Sequence, residues 1–143
     1  MSVTAVGALL AQGVPIPVFS ATASAGFPSP ATDHIEKHIS LDELFNIRAP
    51  HVFLVRIDGD SMQNAGIFSG DFVIVDRSRE AVDGDIVVAS LNAEPVCKRL
   101  RLQGRRLSLA PENDSYPTRT LSDEDELMIW GVVQYSVRDH GRN

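Results

Sequence analysis

Apolar residues over the last two thirds of the chain fall in short runs. Val52–Ile57, Phe72–Asp76, Asp85–Leu91, Val96–Leu102, Arg105–Ala110 and Leu127–Val137 are rich in Val, Ile and Leu, types that suit a pleated, half-buried surface. Gly and Asp punctuate them, as in Ser69-Gly70-Asp71 and Asp83-Gly84-Asp85, which marks turns. Gln103-Gly104 stands between two alternating runs and predicts a hairpin. Six such runs within about ninety residues predict a mainly β fold, a compact twisted β domain. Helical signals are brief. Ser40-Leu41-Asp42-Glu43 fits a capping box before a short helix through Phe45 or Ile47. Ser61–Gly66 reads as a helical turn that Gly66 ends.

The amino end follows a different pattern. Residues 1–32 hold no Asp, Glu, Lys, Arg or His, and Pro15, Pro17, Pro28 and Pro30 favour extended or turn backbone. The expected organisation is therefore a flexible N-terminal arm, 1–32, followed by a folded domain, 33–143. Val14, Ile16, Val18 and Phe19 make a bare arm sticky, so cover by the domain or by a second subunit is expected. Composition alone equally admits a disordered tail. Ala23-Ser24-Ala25 resembles the A-x-A site of a signal peptide, but Met1–Val6 lacks Lys and Arg, and Pro15 and Pro17 break the segment.

Bulk properties narrow the function classes. The 143 residues carry 13 Lys and Arg against 19 Asp and Glu, a net charge of −6. That balance argues against tight non-specific binding to nucleic acid such as DNA, which needs basic residues to neutralise phosphates. A role around DNA would then run through a protein partner. The single cysteine, Cys97, cannot form an internal disulfide, which is compatible with a reducing cytoplasm. No apolar stretch reaches the roughly 18 residues of a membrane span.

Two residues carry candidate chemistry. Ser61 stands in Gly59-Asp60-Ser61-Met62, and Lys98 in Val96-Cys97-Lys98-Arg99-Leu100. A serine hydroxyl needs a neighbouring base to become a good nucleophile, and a lysine serves as that base where burial disfavours its charge. Strand alternation puts Lys98 on one face with Val96, Leu100 and Leu102. An equally simple account has its stem packing while the ammonium reaches water. Gly-Asp-Ser is also an ordinary turn opening. Backbone N–H groups at the start of a helical turn are free to stabilise an oxyanion, and those of Asp60 and Ser61 are the candidates here. The Ala25–Gly26 bond, flanked by small residues, is a candidate cleavage site. His34 and His38 lack the spacing of a zinc motif and read as surface residues. Asp123–Glu126 reads as a solvated loop rather than a metal site. Cys97, on the face opposite Lys98, reads as an inert buried thiol, and Trp130 as a core anchor. No metal or other cofactor is expected.

The chain resembles the UmuD family of SOS mutagenesis proteins and, more broadly, the carboxy-terminal peptidase domain of LexA-type repressors. The matching segments include Ala25-Gly26-Phe27-Pro28-Ser29-Pro30, Gly59-Asp60-Ser61-Met62, Gly70-Asp71-Phe72-Val73-Ile74-Val75-Asp76 and Gly84-Asp85-Ile86-Val87. Lys98-Arg99-Leu100, Pro111-Glu112-Asn113-Asp114-Ser115-Tyr116 and Gly131-Val132-Val133 continue the series in order. The resemblance implies a β fold of the LexA and signal-peptidase type, with Ser61 as nucleophile, Lys98 as base and a self-inflicted cut between Ala25 and Gly26. It further implies a cytoplasmic homodimer, stimulation of cleavage by RecA filaments on single-stranded DNA, and a shortened form that joins a UmuC-like Y-family polymerase. No helix-turn-helix precedes the arm, which argues against a repressor. Two other functions fit the residues: a non-catalytic dimeric polymerase-binding subunit, and a signal-peptidase-like protease acting on other chains. The second of these needs a membrane anchor, and none is expected here.

Overall fold

In the computed structural model the residues described are 13–19, 35–47 and 50–141. They fall into two compact units, 1–49 and 50–143.

The first unit holds a small antiparallel pair that the sequence pattern does not announce. Strand β1 (Ile16–Phe19) pairs with β2 (Ile35–Ile39), in register from Ile16↔Ile39 to Val18↔Lys37, with a one-residue shift before Phe19↔Ile35. Pro17 is tolerated because each strand of a two-stranded sheet is an edge and has a side that needs no donor. The expected helix follows as α1 (Leu41–Leu44), shorter than its sequence signal. The Ser40 hydroxyl caps it by accepting the Glu43 N–H at 3.1 Å. It stops early because Asn46 takes a left-handed conformation, φ 53. The Ile47 N–H then donates to Asp42 O, and the Asn46 N–H to Glu43 O. That pair of bonds closes the helix end as a Schellman turn.

The second unit is one antiparallel sheet in the order β3-β4-β9-β5-β6-β7-β8. Its strands are β3 (Val52–Arg56), β4 (Phe72–Asp76), β5 (Ile86–Leu91), β6 (Glu94–Gln103), β7 (Arg106–Ala110), β8 (Arg119–Thr120) and β9 (Leu127–Val137). The predicted β domain is thus present, and each of the six predicted runs forms a strand with ends within two residues of those expected. Strand β8 escapes sequence reading because two residues cannot show a period. The predicted hairpin at Gln103-Gly104 joins β6 to β7, with Gly104 at φ 61 in the loop.

Alternation along the central strands buries both faces of the sheet. Val88 joins one apolar cluster with Ile57, Met62, Ile67, Val73 and Val75. Its neighbour Val87 joins another with Ala89, Leu100, Leu109 and Val132. Trp130 departs from expectation: it is 36% exposed and belongs to neither cluster. The cause is a register shift. Val88 faces Gly131 while Ala89 faces Ile129, so Trp130 is the extra residue of a bulge.

Gly131 is the tight point of the sheet. A Cβ there would lie 2.6 Å from Val75 Cγ1 and 2.8 Å from Asp76 O. Both neighbours lie at the carboxyl end of β4, paired to β3 on one side and to β9 on the other, so the backbone cannot move there without disturbing two ladders. Gly131→Ala is therefore expected to destabilise the domain by about 1–3 kcal/mol, measured by urea unfolding. Unchanged stability would show that β4 and β9 are less tightly apposed.

Candidate active site

Ser61 rides on a loop that leaves β3 and returns to β4. The loop is closed at its base by two backbone bonds, Ile57 N–H to Asp71 O and Gly70 N–H to Ile57 O, each 2.8 Å. Gly59 at φ 97 makes the first sharp bend, and its N–H donates to Ser69 Oγ. Met62, 1% exposed, and Ile67, 3%, plug the loop into the first apolar cluster. Between them lies the expected helical turn, a 3-10 turn at Gln63–Ala65 ended by Gly66 at φ 83. One apolar plug on either side of this turn leaves Ser61 little freedom to move.

Two further sets of bonds hold the loop. The first is the buried Asp71, whose carboxylate accepts from Arg138 Nε at 2.9 Å and Nη2 at 3.0 Å. Arg138 Nη2 also donates to Gly66 O, and its guanidinium lies over the Phe68 ring. The second is the segment after β7, Pro111–Tyr116. The Glu112 N–H donates to Ser61 O, and Glu112 O accepts from the Asn64 N–H. Asn113 Nδ2 donates to Asp60 O at 2.8 Å, and the Tyr116 hydroxyl to the Asp60 carboxylate at 2.6 Å. The Glu112 carboxylate pairs with Arg99, which also donates to Gly84 O. In the sequence this segment is only a matching string; the fold gives it a mechanical task.

Lys98 comes from β6, directly across from Val87 on β5. Its neighbours two residues away, Val96 and Leu100, pack in the second cluster as alternation requires. Its ammonium does not simply reach water. Lys98 Nζ donates to Ser61 Oγ at 2.7 Å, within the range of a proton transfer between them. Burial of the half-buried side chain pulls its pKa below the ordinary lysine value, against a weaker opposing effect of Cys97. Cys97 itself packs on the first cluster. Burial pushes its thiol up to about 11, with Lys98 working weakly the other way, so at neutral pH it is protonated and unreactive.

A cleft of about 350 Å³ opens above this pair, lined on one side by Val55 to Asp58 and on the other by Pro95 to Lys98. Asp60, Ser61 and Lys98 are thus brought together from segments far apart in the chain. Ala25, Gly26 and His34 lie outside the described residues, and His38 is exposed. The acidic loop turns out to be a brace: Asp125 accepts from Asn92, Ser122 and Arg119. These bonds hold its carboxyl far below the usual range, with that from Asn92 strongest. Among the described residues no cluster of His, Cys, Asp and Glu is arranged to hold a metal ion, and no helix is long and apolar enough to cross a membrane.

The comparisons define a class, that of self-cleaving serine peptidases related to LexA. Residues 17–134 match the Peptidase S24-like family, and the chain belongs to that family. Within it the chain is UmuD-like, a relative of SOS mutagenesis proteins. It is 42% identical to Protein SamA of Salmonella typhimurium, over 82% of this chain and 81% of that protein. Identity to Protein MucA of Escherichia coli is 39%, over 87% of this chain and 86% of MucA. A LexA repressor from Bordetella avium is 36% identical over 82% of this chain but only 54% of its own length.

The Arg138 clamp has a pH signature. Hydrogen bonding to Arg138, more than any other influence, lowers the Asp71 pKa, outweighing its desolvation. A depressed carboxyl stabilises the fold fully above its unfolded value of about 3.9 and loses that contribution as pH falls through the folded value. Arg138→Gln is expected to lower the melting temperature at neutral pH and to move acid unfolding to higher pH. Circular dichroism across the acid range measures both, and an unmoved acid midpoint would contradict the assignment.

Proposed function

We propose that this protein is a switch of the SOS response that cuts its own arm between Ala25 and Gly26, with Ser61 as nucleophile and Lys98 as general base. The observation that carries the proposal is the 2.7 Å contact between Lys98 Nζ and Ser61 Oγ at the cleft. Neutral Lys98 takes the Ser61 proton as Oγ attacks the Ala25 carbonyl carbon. The N–H groups of Asp60 and Ser61 stabilise the resulting oxyanion. Collapse breaks the bond to the Gly26 nitrogen, which leaves with the proton held by Lys98. Water, deprotonated by the again neutral lysine, then releases the arm as a carboxylate and frees Ser61.

The cleft suits an extended segment. β3 is an edge strand of the sheet, and residues 94–98 of β6 precede the β7 ladder, which starts at Arg99↔Ala110. A chain laid between these edges gains backbone hydrogen bonds as an added strand. Ala25 and Gly26, with the smallest side chains, let that strand sit close to Ser61. Asp33 is eight residues beyond Ala25, a tether of about 26 Å when extended. That length serves cleavage within a subunit or between the two subunits of a homodimer.

The family relationship supports the setting. RecA filaments on single-stranded DNA stimulate the cut, and the shortened form joins a UmuC-like Y-family polymerase. The acidic balance of the chain fits a role that reaches DNA through these protein partners. Dimerisation is supported by exposed apolar side chains on the sheet: Leu54 and Tyr135 lie in one cross-strand row through Ile74. Since residues 1–25 carry no charged side chain, their loss changes apolar surface rather than net charge, which favours docking of a partner on the surface uncovered.

Incubating the purified full chain at alkaline pH and sequencing the product tests the chemistry. The new amino end is expected at Gly26, and an end elsewhere would refute the site. Ser61→Ala and Lys98→Ala should each slow cleavage by more than about a thousandfold while keeping the fold. Because the Lys98 pKa is lowered, the rate should climb above about pH 7 and level off before the ordinary lysine value of about 10.4. A flat profile would sink lysine as the base.

A second comparison tests the switch. Residues 26–143 carrying Ser61→Ala should support ultraviolet-induced mutagenesis in cells with the partner polymerase, whereas the full-length Ser61→Ala protein should not. Equal mutation frequencies would show that cleavage is not the switch.

A further inference from the structure

We propose that Asn113 is a positioning residue that locks the Asp60–Ser61 peptide plane, so that the Ser61 N–H faces the carbonyl oxygen under attack. This rests on the self-cleavage proposed above and extends it to a residue that touches neither reacting atom.

A trans peptide is planar, so its C=O and N–H point in opposite directions. The Asp60 carbonyl oxygen accepts two hydrogen bonds, from Asn113 Nδ2 at 2.8 Å and from the Gln63 N–H at 3.2 Å. Fixing the carbonyl fixes the Ser61 N–H, which lies in the same plane and points the opposite way. Among the described residues that N–H has no hydrogen-bond partner, as a donor reserved for a bound group would. Rotating the plane would break both bonds and turn a carbonyl dipole toward the developing negative charge, converting a donor into a repulsive acceptor.

Asn113 is itself held. Its Oδ1 accepts the Ser115 N–H at 2.9 Å, which leaves the amide NH₂ to face Asp60. Its backbone oxygen accepts the Tyr116 N–H, and the Tyr116 hydroxyl reaches the Asp60 carboxylate. Glu112, one residue earlier, holds Ser61 O and the Asn64 N–H. The Ser61 loop is thus gripped on both sides of the peptide, and among the described residues only Asn113 supplies a side-chain donor to its carbonyl.

Two variants test the proposal in the full chain. Asn113→Asp keeps the acceptor for Ser115 but sets a carboxylate oxygen against the Asp60 carbonyl. Asn113→Ala removes the donor without adding charge. The limiting self-cleavage rate at high pH should fall by about a hundredfold in the Asp variant and about tenfold in the Ala variant, the effect of one hydrogen bond on a peptide flip. Melting temperatures should stay near that of the parent, and the midpoint of the rate–pH profile in Asn113→Ala should not move. A parental limiting rate in both variants would overturn the proposal. So would a midpoint shift in Asn113→Ala that accounts for its loss of rate, because the effect would then act on Lys98. Ser61→Ala, run in parallel, separates the two levels. If it still cleaves, the self-cleavage proposal fails; if it is inert while both Asn113 variants keep the parental rate, only the role of Asn113 fails.

Discussion

The structure of the second unit turns on one hydrogen bond between a half-buried lysine and a serine on a loop. A lysine on a strand flanked by core residues is costly unless its ammonium finds a partner. A loop serine is useless as that partner unless the loop is rigid. The surrounding architecture answers both demands. Met62 and Ile67 sink the loop into the core, while Asp71 and Arg138 fix one flank and Pro111–Tyr116 the other. Lys98 in turn stands on β6, which is paired to β5 along its first part and to β7 beyond Arg99.

The two flanking devices differ in kind. The Asp71–Arg138 pair is charged, with the carboxylate buried and the guanidinium partly in water. It joins the loop to the end of β9 and depends on pH. The Asn113 and Tyr116 bonds are short-range contacts to a single residue, Asp60, and control the direction of a peptide rather than the stability of a sheet. A loop stabilised only by the first would be in place without being aimed. That division explains why a segment of irregular backbone, Pro111–Tyr116, is packed so tightly against another one.

Cys97 illustrates how alternation separates chemistry from packing. It adjoins Lys98 in sequence, yet burial drives its pKa up while it drives that of Lys98 down. Burial on one face therefore keeps a potential nucleophile protonated, and burial on the other favours the neutral form of a potential base. Desolvation always opposes the charged form, and the two groups differ only in which form is charged.

The sequence by itself determined six strands of the second unit, because side-chain alternation and Gly-Asp turns are local signals. It also pointed to Ser61 and Lys98, and through the resemblance to the S24-like family that residues 17–134 match. What it left undetermined was everything that depends on register or on contact between distant segments. The pairing of Ile16–Phe19 with Ile35–Ile39 joins residues that carry no common local pattern. Trp130 has the size and apolarity of a core residue, but the bulge opposite Val88 and Ala89 turns it outward. Asn113, Tyr116 and Arg138 look like ordinary polar positions, and acquire a task only because the folded sheet brings them against the Ser61 loop. Local propensity is written in neighbouring residues, whereas the aim of a peptide plane is set by atoms from the other side of the fold.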